Sequence, residues 1–351
     1  MRWISLLLVV SACSPAPTVG PVDVRVLYPL GGKGDESVSD NIFSGLVFAR
    51  AAAEFEIEEV EPTTVAEGTA AIDRWVADRA NRQLIVVGSG AFAQAIDDKE
   101  CEFGTAQVLQ LDVSLPTCSN LRSVTYRSYA PAYLGGVAAV SDPSLKPERT
   151  VGIIAGADVP PVRELVDGFT AGVTAAGGTV VRVDFVSNDP DVGFGDPATG
   201  RMLAEAMFDE VGVIYAVAGR SGEGVAQAID DRFDAAPGAR VYYVGSDVDQ
   251  SSLWGRITIG SVLKRFDFSV RDAILDAVVG SYSPGDVRVG FADGFTEFIF
   301  HPRRGSNVIR GDCGGCDLFD PLCYQSCTTL EDVVDQATDA AALAAEAYEA
   351  R

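Results

Sequence analysis

Short apolar runs alternate with helically spaced segments through most of the chain. Residues 23–30 read as a strand, and 39–55 place Ile42, Phe43, Leu46, Ala49 and Ala53 at helical spacing. Residues 57–60 are a short strand candidate, followed by a helix carrying Ile72, Trp75, Val76 and Ala80. Residues 84–87 (LIVV) form the continuous apolar run expected of a parallel strand buried on both faces. Residues 107–113 and 123–126 are further strands, and 132–140 are helical. The rhythm then restarts. Strands at 150–154, 179–186, 213–217, 240–244 and 257–262 alternate with helices at 162–175, 201–211, 224–233 and 266–279, and 288–291 and 297–300 are the last strand candidates.

Strands that alternate with helices in this way predict an α/β fold with doubly wound sheets, and two such series suggest two lobes flanking a cleft. Open sheets of this class bind ligands at the carboxyl ends of their strands. The loops that follow each apolar run are therefore where candidate chemistry belongs.

The two ends read differently. Residues 1–13 (MRWISLLLVVSAC) place Arg2 before an apolar run, then small residues and Cys13, the pattern of a secretory signal. Residues 10–13 resemble a bacterial lipobox, in which Cys13 becomes the lipidated first residue; the alternative is a plain signal with a chance cysteine. Residues 14–21 are rich in Pro and small side chains and suit a tether. No later stretch approaches the ~18 uninterrupted apolar residues of a membrane span. Seven cysteines less Cys13 leave an even six, as expected of an exported, oxidised chain. Cys101 and Cys118 bracket one loop and are a candidate disulfide. Cys313, Cys316, Cys323 and Cys327 cluster near the C-terminus with three possible pairings; a zinc knuckle is the alternative, although their spacing is irregular for zinc. Residues 330–351 are an acidic, Ala-rich helix candidate, read as a solvated face or a packing appendage.

Charge narrows the partners. The 351 residues carry 27 Lys and Arg against 50 Asp and Glu, a net charge of −23. That balance argues against nucleic acid, which needs clustered cations, and against a basic face on an anionic membrane. A single histidine, His301, leaves little scope for multi-His metal sites or catalysis. The chain has no Walker A sequence, no G-x-S-x-G and no H-E-x-x-H. It is expected to be a non-enzyme with neither cofactor nor metal.

Four places carry candidate binding chemistry. Gly219, Arg220 and Ser221 lie in a Gly-rich run between a strand and a helix, where main-chain N–H groups can hold an anion or hydroxyl; the alternative is a tight turn. Asp247 and Asp249 follow the strand at 240–244, where carboxylates can accept hydrogen bonds from a vicinal diol, or simply cap a helix. Lys264, one of only four lysines, follows the strand at 257–262 and is placed to meet a ligand oxygen or Asp247; the alternative is a surface lysine. The loop at 31–39, with Asp35, Val38 and Ser39, follows the first strand, and its polar residues are equally candidates for helix caps.

Seven segments in order resemble the basic membrane protein family of bacterial lipoproteins, the purine nucleoside receptor-like substrate-binding proteins. They are 35–45 (DESVSDNIFSG), 84–92 (LIVVGSGAF), 126–138 (YRSYAPAYLGGVA), 155–169 (AGADVPPVRELVDGF), 215–225 (YAVAGRSGEGV), 245–250 (GSDVDQ) and 261–267 (SVLKRFD). The resemblance runs from about residue 24 to 302 and implies a periplasmic-binding-protein type I clamshell. It implies lobes of 22–125 plus 252–280 and 126–251 plus 281–302, with 303–351 as a tail. It also implies lipid anchoring in a bacterial cell envelope, a purine nucleoside or related ligand, and an ABC permease as partner.

Carried onto this chain, the resemblance assigns ribose hydroxyls to Asp247, less directly to Asp249, with Lys264 beside them. It assigns the base edge to Asp35, stacking to Tyr215, and further contacts to Gly219 and Ser221. The chain departs from the family at three neighbouring positions. Val38 stands where the family has a stacking Phe, Ser39 where it has Asn, and Arg220 where it has Gly. Tyr129 is a candidate replacement ring, and Arg220 a candidate for favouring an anionic ligand. A degenerate or redirected pocket, in an envelope sensor or interaction lipoprotein, is the alternative function.

Overall fold

The computed structural model describes residues 21–78, 82–142, 149–236, 240–301, 308–310 and 328–351. Cys13 and the four C-terminal cysteines lie outside the described residues.

The chain begins with β1 (Val22–Leu27), α1 (Val38–Arg50), β2 (Glu56–Val60), α2 (Val65–Ala77), β3 (Arg82–Val87), α3 (Ala93–Asp97), β4 (Gln107–Leu111) and β5 (Leu121–Arg127). It continues through α4 (Tyr129–Ser141), β6 (Thr150–Ala155), α5 (Pro160–Ala175), β7 (Thr179–Phe185), α6 (Pro190–Gly193), α7 (Pro197–Met207), β8 (Val213–Val217) and α8 (Ser221–Ala235). Then come β9 (Tyr242–Asp247), α9 (Ser251–Trp254), β10 (Thr258–Lys264), α10 (Phe266–Val279), β11 (Gly285–Gly290) and β12 (Thr296–Phe300). Beyond them lie β13 (Val308–Arg310), β14 (Thr328–Thr329), α11 (Leu330–Gln336) and α12 (Thr338–Glu349).

Two six-stranded sheets organise these elements, in the orders β11-β5-β4-β3-β1-β2 and β12-β10-β9-β8-β6-β7. All pairings within them are parallel except β10 with β12. The continuous apolar runs are the central strands. Every residue of β8 and all but the first of β3 are buried, because helices cover both faces.

The sheet order departs from the expected lobe boundaries at two strands. β10, expected in the first lobe, is central in the second sheet, and β11, expected in the second, is the edge of the first beside β5. Burial explains the exchange. All of β10 is buried, as a strand with neighbours on both sides must be, whereas β11 is largely exposed, as an edge permits. The chain therefore crosses between lobes at Arg127–Ser128, at Lys264–Arg265 and over residues 291–295.

Helix starts follow local chemistry. α7 begins at Pro197 rather than at residue 201, because Asp196 accepts the Thr199 N–H at 3.0 Å and proline suits a first turn. β9 runs on to Asp247, and β10 to Lys264, so both candidate ligands are the last residues of their strands.

The C-terminal helices are a packing appendage. They contact α4, with Val334 and Ala341 buried in the second lobe's core and the Tyr348 ring 4.7 Å from that of Tyr129. Cys101 and Cys118 form a disulfide with Cα atoms 5.5 Å apart, at the margin of the first lobe.

Candidate functional site

The carboxyl ends of both sheets face one another across a cavity of about 390 Å³. Its lining includes Asp35, Val38, Gly219, Arg220, Asp247 and Lys264 from the sequence-derived set.

The polar end is built on two strand termini. Asp247 closes β9 with φ 69°, a left-handed conformation that a short polar side chain tolerates. Among the described residues its carboxylate receives two protein hydrogen bonds, from Ser37 Oγ at 2.6 Å and Ser246 Oγ at 3.4 Å, both at Oδ2. Oδ1 accepts no protein hydrogen bond among the described residues. Lys264 closes β10 almost wholly buried, with Nζ 2.8 Å from Asp112 Oδ2. Burial alone would lower the ammonium's pKa, but the carboxylates of Asp112, Asp247 and Glu164 outweigh it and hold Lys264 above its ordinary value. Asp112 is also held high, because burial exceeds what one lysine returns and Asp247 lies nearby.

Asn41 ties these termini together. Its Nδ2 donates to the main-chain oxygens of Asp247 (3.1 Å) and Lys264 (2.7 Å), while its Oδ1 accepts the Asp267 N–H at 2.8 Å. Glu164 accepts the main-chain N–H groups of Ser128 and, at 2.9 Å, Tyr129, and so braces the first lobe crossing. Burial raises its pKa against those two bonds and Lys264.

The other end is apolar. Pro29, Leu30 and Val38 of the first lobe oppose Pro160, Pro161, Leu165 and Phe194 of the second. Phe194 and Phe266 are the aromatic side chains in the lining.

The remaining sequence-derived residues have other roles. Asp35 reaches the cavity wall, but its oxygens accept the N–H groups of Ser37 (2.9 Å), Ser39 (2.9 Å) and Asp40 (3.2 Å), the work of a helix cap for α1. Its burial outweighs these bonds and raises its pKa. Ser39 is buried beneath that cap. Tyr215 is wholly buried, its ring stacked on Phe169 at a centroid distance of 4.2 Å, so it is core rather than lining. Tyr129 packs on Tyr348 and supplies no ring to the cavity lining. Ser221 Oγ donates to the Gly193 oxygen and accepts the Asp196 N–H, both at 2.8 Å, which fixes the turn before α7. Asp249 is exposed and accepts the Ser251 N–H at 2.9 Å.

Arg220 lines the cavity mouth with Nη1 3.3 Å from the Gly31 oxygen and Nε 3.8 Å from Glu223. The lining holds Asp35, Asp112, Asp191 and Asp247 against Arg220 and Lys264. This balance weighs against an anionic ligand. Sequence reasoning took Ser37 only as a helix-cap candidate and did not single out Asn41, Asp112, Glu164 or Phe194. Asp112 was within reach of the same rule that found Asp247, since it directly follows β4.

Among the described residues no helix is long and apolar enough to cross a membrane, and no group of three or more His, Cys, Asp or Glu is placed to hold a metal. An ABC transporter solute-binding protein of Aeropyrum pernix shares the fold, with a TM-score of 0.72 at 24% identity over 93% of this chain and 90% of that one. A dimeric Lac repressor superposes with a TM-score of 0.53 at 16% identity over 79% of this chain and 97% of the repressor. In sequence, an uncharacterised lipoprotein of Pyrococcus abyssi is 24% identical over 78% of this chain and 67% of its own length. Basic membrane protein D of Borreliella burgdorferi is 28% identical over 50% of this chain and 48% of its own. Residues 24–304 match the Bmp family, described as ABC transporter substrate-binding protein, PnrA-like. The chain belongs to this family of ABC transporter substrate-binding proteins, solute receptors rather than enzymes.

Proposed function

We propose that the chain is a lipid-anchored receptor at the cell envelope that binds a ribonucleoside, or a close relative bearing a vicinal diol, between its lobes and presents it to an ABC importer. The observation that carries this reading is the division of the cavity into a carboxylate–ammonium end and an apolar end. Asp247 Oδ1 and Asp112 accept from two adjacent hydroxyls, while Lys264 donates to a ring or hydroxyl oxygen. The base lies between Phe194 and the Pro160–Pro161 surface of the second lobe on one face and Val38 of the first lobe on the other. Replacing a second ring by Val38 forfeits about 1 kcal/mol of stacking, which weakens base recognition and leaves the diol end dominant. Closure of the lobes about the three crossings then sequesters the ligand.

Titration of the oxidised chain from Ser14 onward with guanosine, inosine, adenosine and their 2′-deoxy forms, followed calorimetrically, tests this. Ribonucleosides should bind, deoxynucleosides far less, and Asp247→Ala and Lys264→Ala should abolish binding. No heat with any nucleoside would sink the ligand assignment.

A further inference from the structure

Apart from the contacts at the crossings themselves, such as Thr296 Oγ1 to the Arg127 oxygen and Arg265 to Glu297, two sets of contacts join the lobes around the cleft. One belongs to the cavity and its floor: Ser37 with Asp247, Asn41 with the main chain of Asp247 and Lys264, and Lys264 with Asp112. The other set lies on the loop between β1 and α1, at the rim. Glu36 there takes φ 47°, close behind Gly31, Gly32 and Gly34 at φ 98°, 66° and 81°, so this loop is bent into an uncommon path. That path presents Glu36 to the second lobe. Its main-chain oxygen accepts Gln250 Nε2 at 3.0 Å, and its carboxylate Oε2 accepts the indole N–H of Trp254 at 2.9 Å.

The second-lobe partners are held ready for this. Tyr243 Oη donates to Gln250 Oε1 at 2.5 Å, which orients the amide with its N–H groups outward. Gln250 is buried, and Trp254 ends α9. Farther along the same loop, Arg220 Nη1 donates to the Gly31 oxygen at 3.3 Å. Glu36, Gln250 and Trp254 are all absent from the cavity lining. Their hydrogen bonds to one another therefore use no group of the cavity wall.

We propose that Glu36, Gln250 and Trp254 form a ligand-independent latch that holds the lobes closed, so that the empty receptor already populates the closed form. The bent loop places one residue where two donors of the other lobe grip it, and a charge-assisted bond from an indole N–H to a partly buried carboxylate is the stronger of the two. Each lost contact should shift the closed-to-open ratio by about tenfold. The ligand then adds to an equilibrium already biased towards closure, which raises affinity and slows release. The inference rests on the receptor reading only in giving closure a purpose.

Small-angle X-ray scattering of the full ligand-free chain tests the latch without reference to any ligand. The wild type should scatter as the closed form, and Trp254→Phe, which removes the indole N–H but keeps a ring, should increase the radius of gyration. Glu36→Ala, which meets the same φ requirement as the native residue, should do so too. Circular dichroism melts of both variants establish that they are folded. Folded variants with scattering identical to the wild type would overturn the latch, as would a wild type already open. A closed empty receptor that opens in the variants yet binds no guanosine would retain the latch and remove the nucleoside assignment alone.

Discussion

Lys264 and Asp112 meet across the lobe boundary, with Nζ 2.8 Å from Oδ2, and each comes from the carboxyl end of a central strand in a different sheet. The pair does two things at once. It lies in the cavity wall, and it joins the second crossing, which begins at Lys264, to the first lobe.

Removing the lysine should therefore be costly even without ligand. Lys264→Met leaves Asp112, Asp247 and Glu164 facing one another with no cation between them. The expected loss in unfolding free energy is about 3 kcal/mol, the low end for a broken buried pair. It falls at that end because the Asp112 side chain keeps 25% of its exposure. Urea denaturation of the variant measures it. The double variant Lys264→Met/Asp112→Leu should recover much of the loss, since no unpaired charge remains. Equal losses in the single and double variants would mean the pair is not the source.

Stability should rise as the medium is acidified from neutrality. Burial holds Asp35, Glu36, Glu164 and Glu223 above the ordinary carboxylate range in the folded chain. Such groups bind protons more tightly folded than unfolded. Their contribution is fully present below the unfolded carboxylate pKa, about 4, and is lost as pH rises through the raised folded values. Self-repulsion within a chain of net charge −23 grows in the same direction. Calorimetric melting should give a higher Tm near pH ~5.5 than near pH ~7.5. Glu58 and Glu59 oppose this trend. Despite burial they are held low, Glu58 by Trp75 and Arg74 and Glu59 by Tyr28 and Lys33. A Tm that climbs with pH across that window would mean such paired carboxylates dominate.

The α4–α5 contact should tolerate no added methyl group. A Cβ on Gly172 would sit 1.9 Å from the Tyr133 oxygen, and one on Gly136 would sit 2.2 Å from the Phe169 oxygen. Both obstacles are main chain, so the helices themselves would have to separate. Gly172→Ala is expected to destabilise by about 3 kcal/mol, at the upper end for overpacking, read as a lowered urea midpoint. An unchanged midpoint would show that α5 can slide on α4 at little cost.

The architecture was legible because its signals are local. The apolar runs of β3 and β8 mark central strands on their own, and Asp247 and Lys264 stand out as polar residues ending such runs. Pairings between distant residues carry no such mark. Nothing adjacent to Asp112 announces Lys264, and Asn41 reads as one polar position within an amphipathic helix. Tyr215 illustrates the limit of reading a strand end by residue type. It shares a sheet face with Val213 and Val217; Val217 reaches the cavity, while Tyr215 lies deeper, against Phe169. The placement of β10 and β11 was missed because the chain changes lobe between Lys264 and Arg265, inside the one segment 261–267 that looks continuous in sequence.

The Cys101–Cys118 disulfide should support stability without touching ligand binding. It spans a sequence separation of 17 residues, for which restriction of the unfolded chain gives about 3 kcal/mol. It also closes a segment in which Glu100 and Cys101 both take left-handed backbone conformations, at φ 48° and 68°. Two neighbouring non-glycine residues in that region persist only where the surroundings fix them. Neither cysteine lines the interlobe cavity. Cys101→Ser/Cys118→Ser should therefore lower the unfolding free energy by about 3 kcal/mol in urea and leave ligand affinity within error of the wild type. A loss of affinity in the folded double variant would tie this margin of the first lobe to the cavity, against the separation seen here. An unchanged unfolding free energy would mean that the reduced, unfolded chain keeps the two cysteines close without the bond.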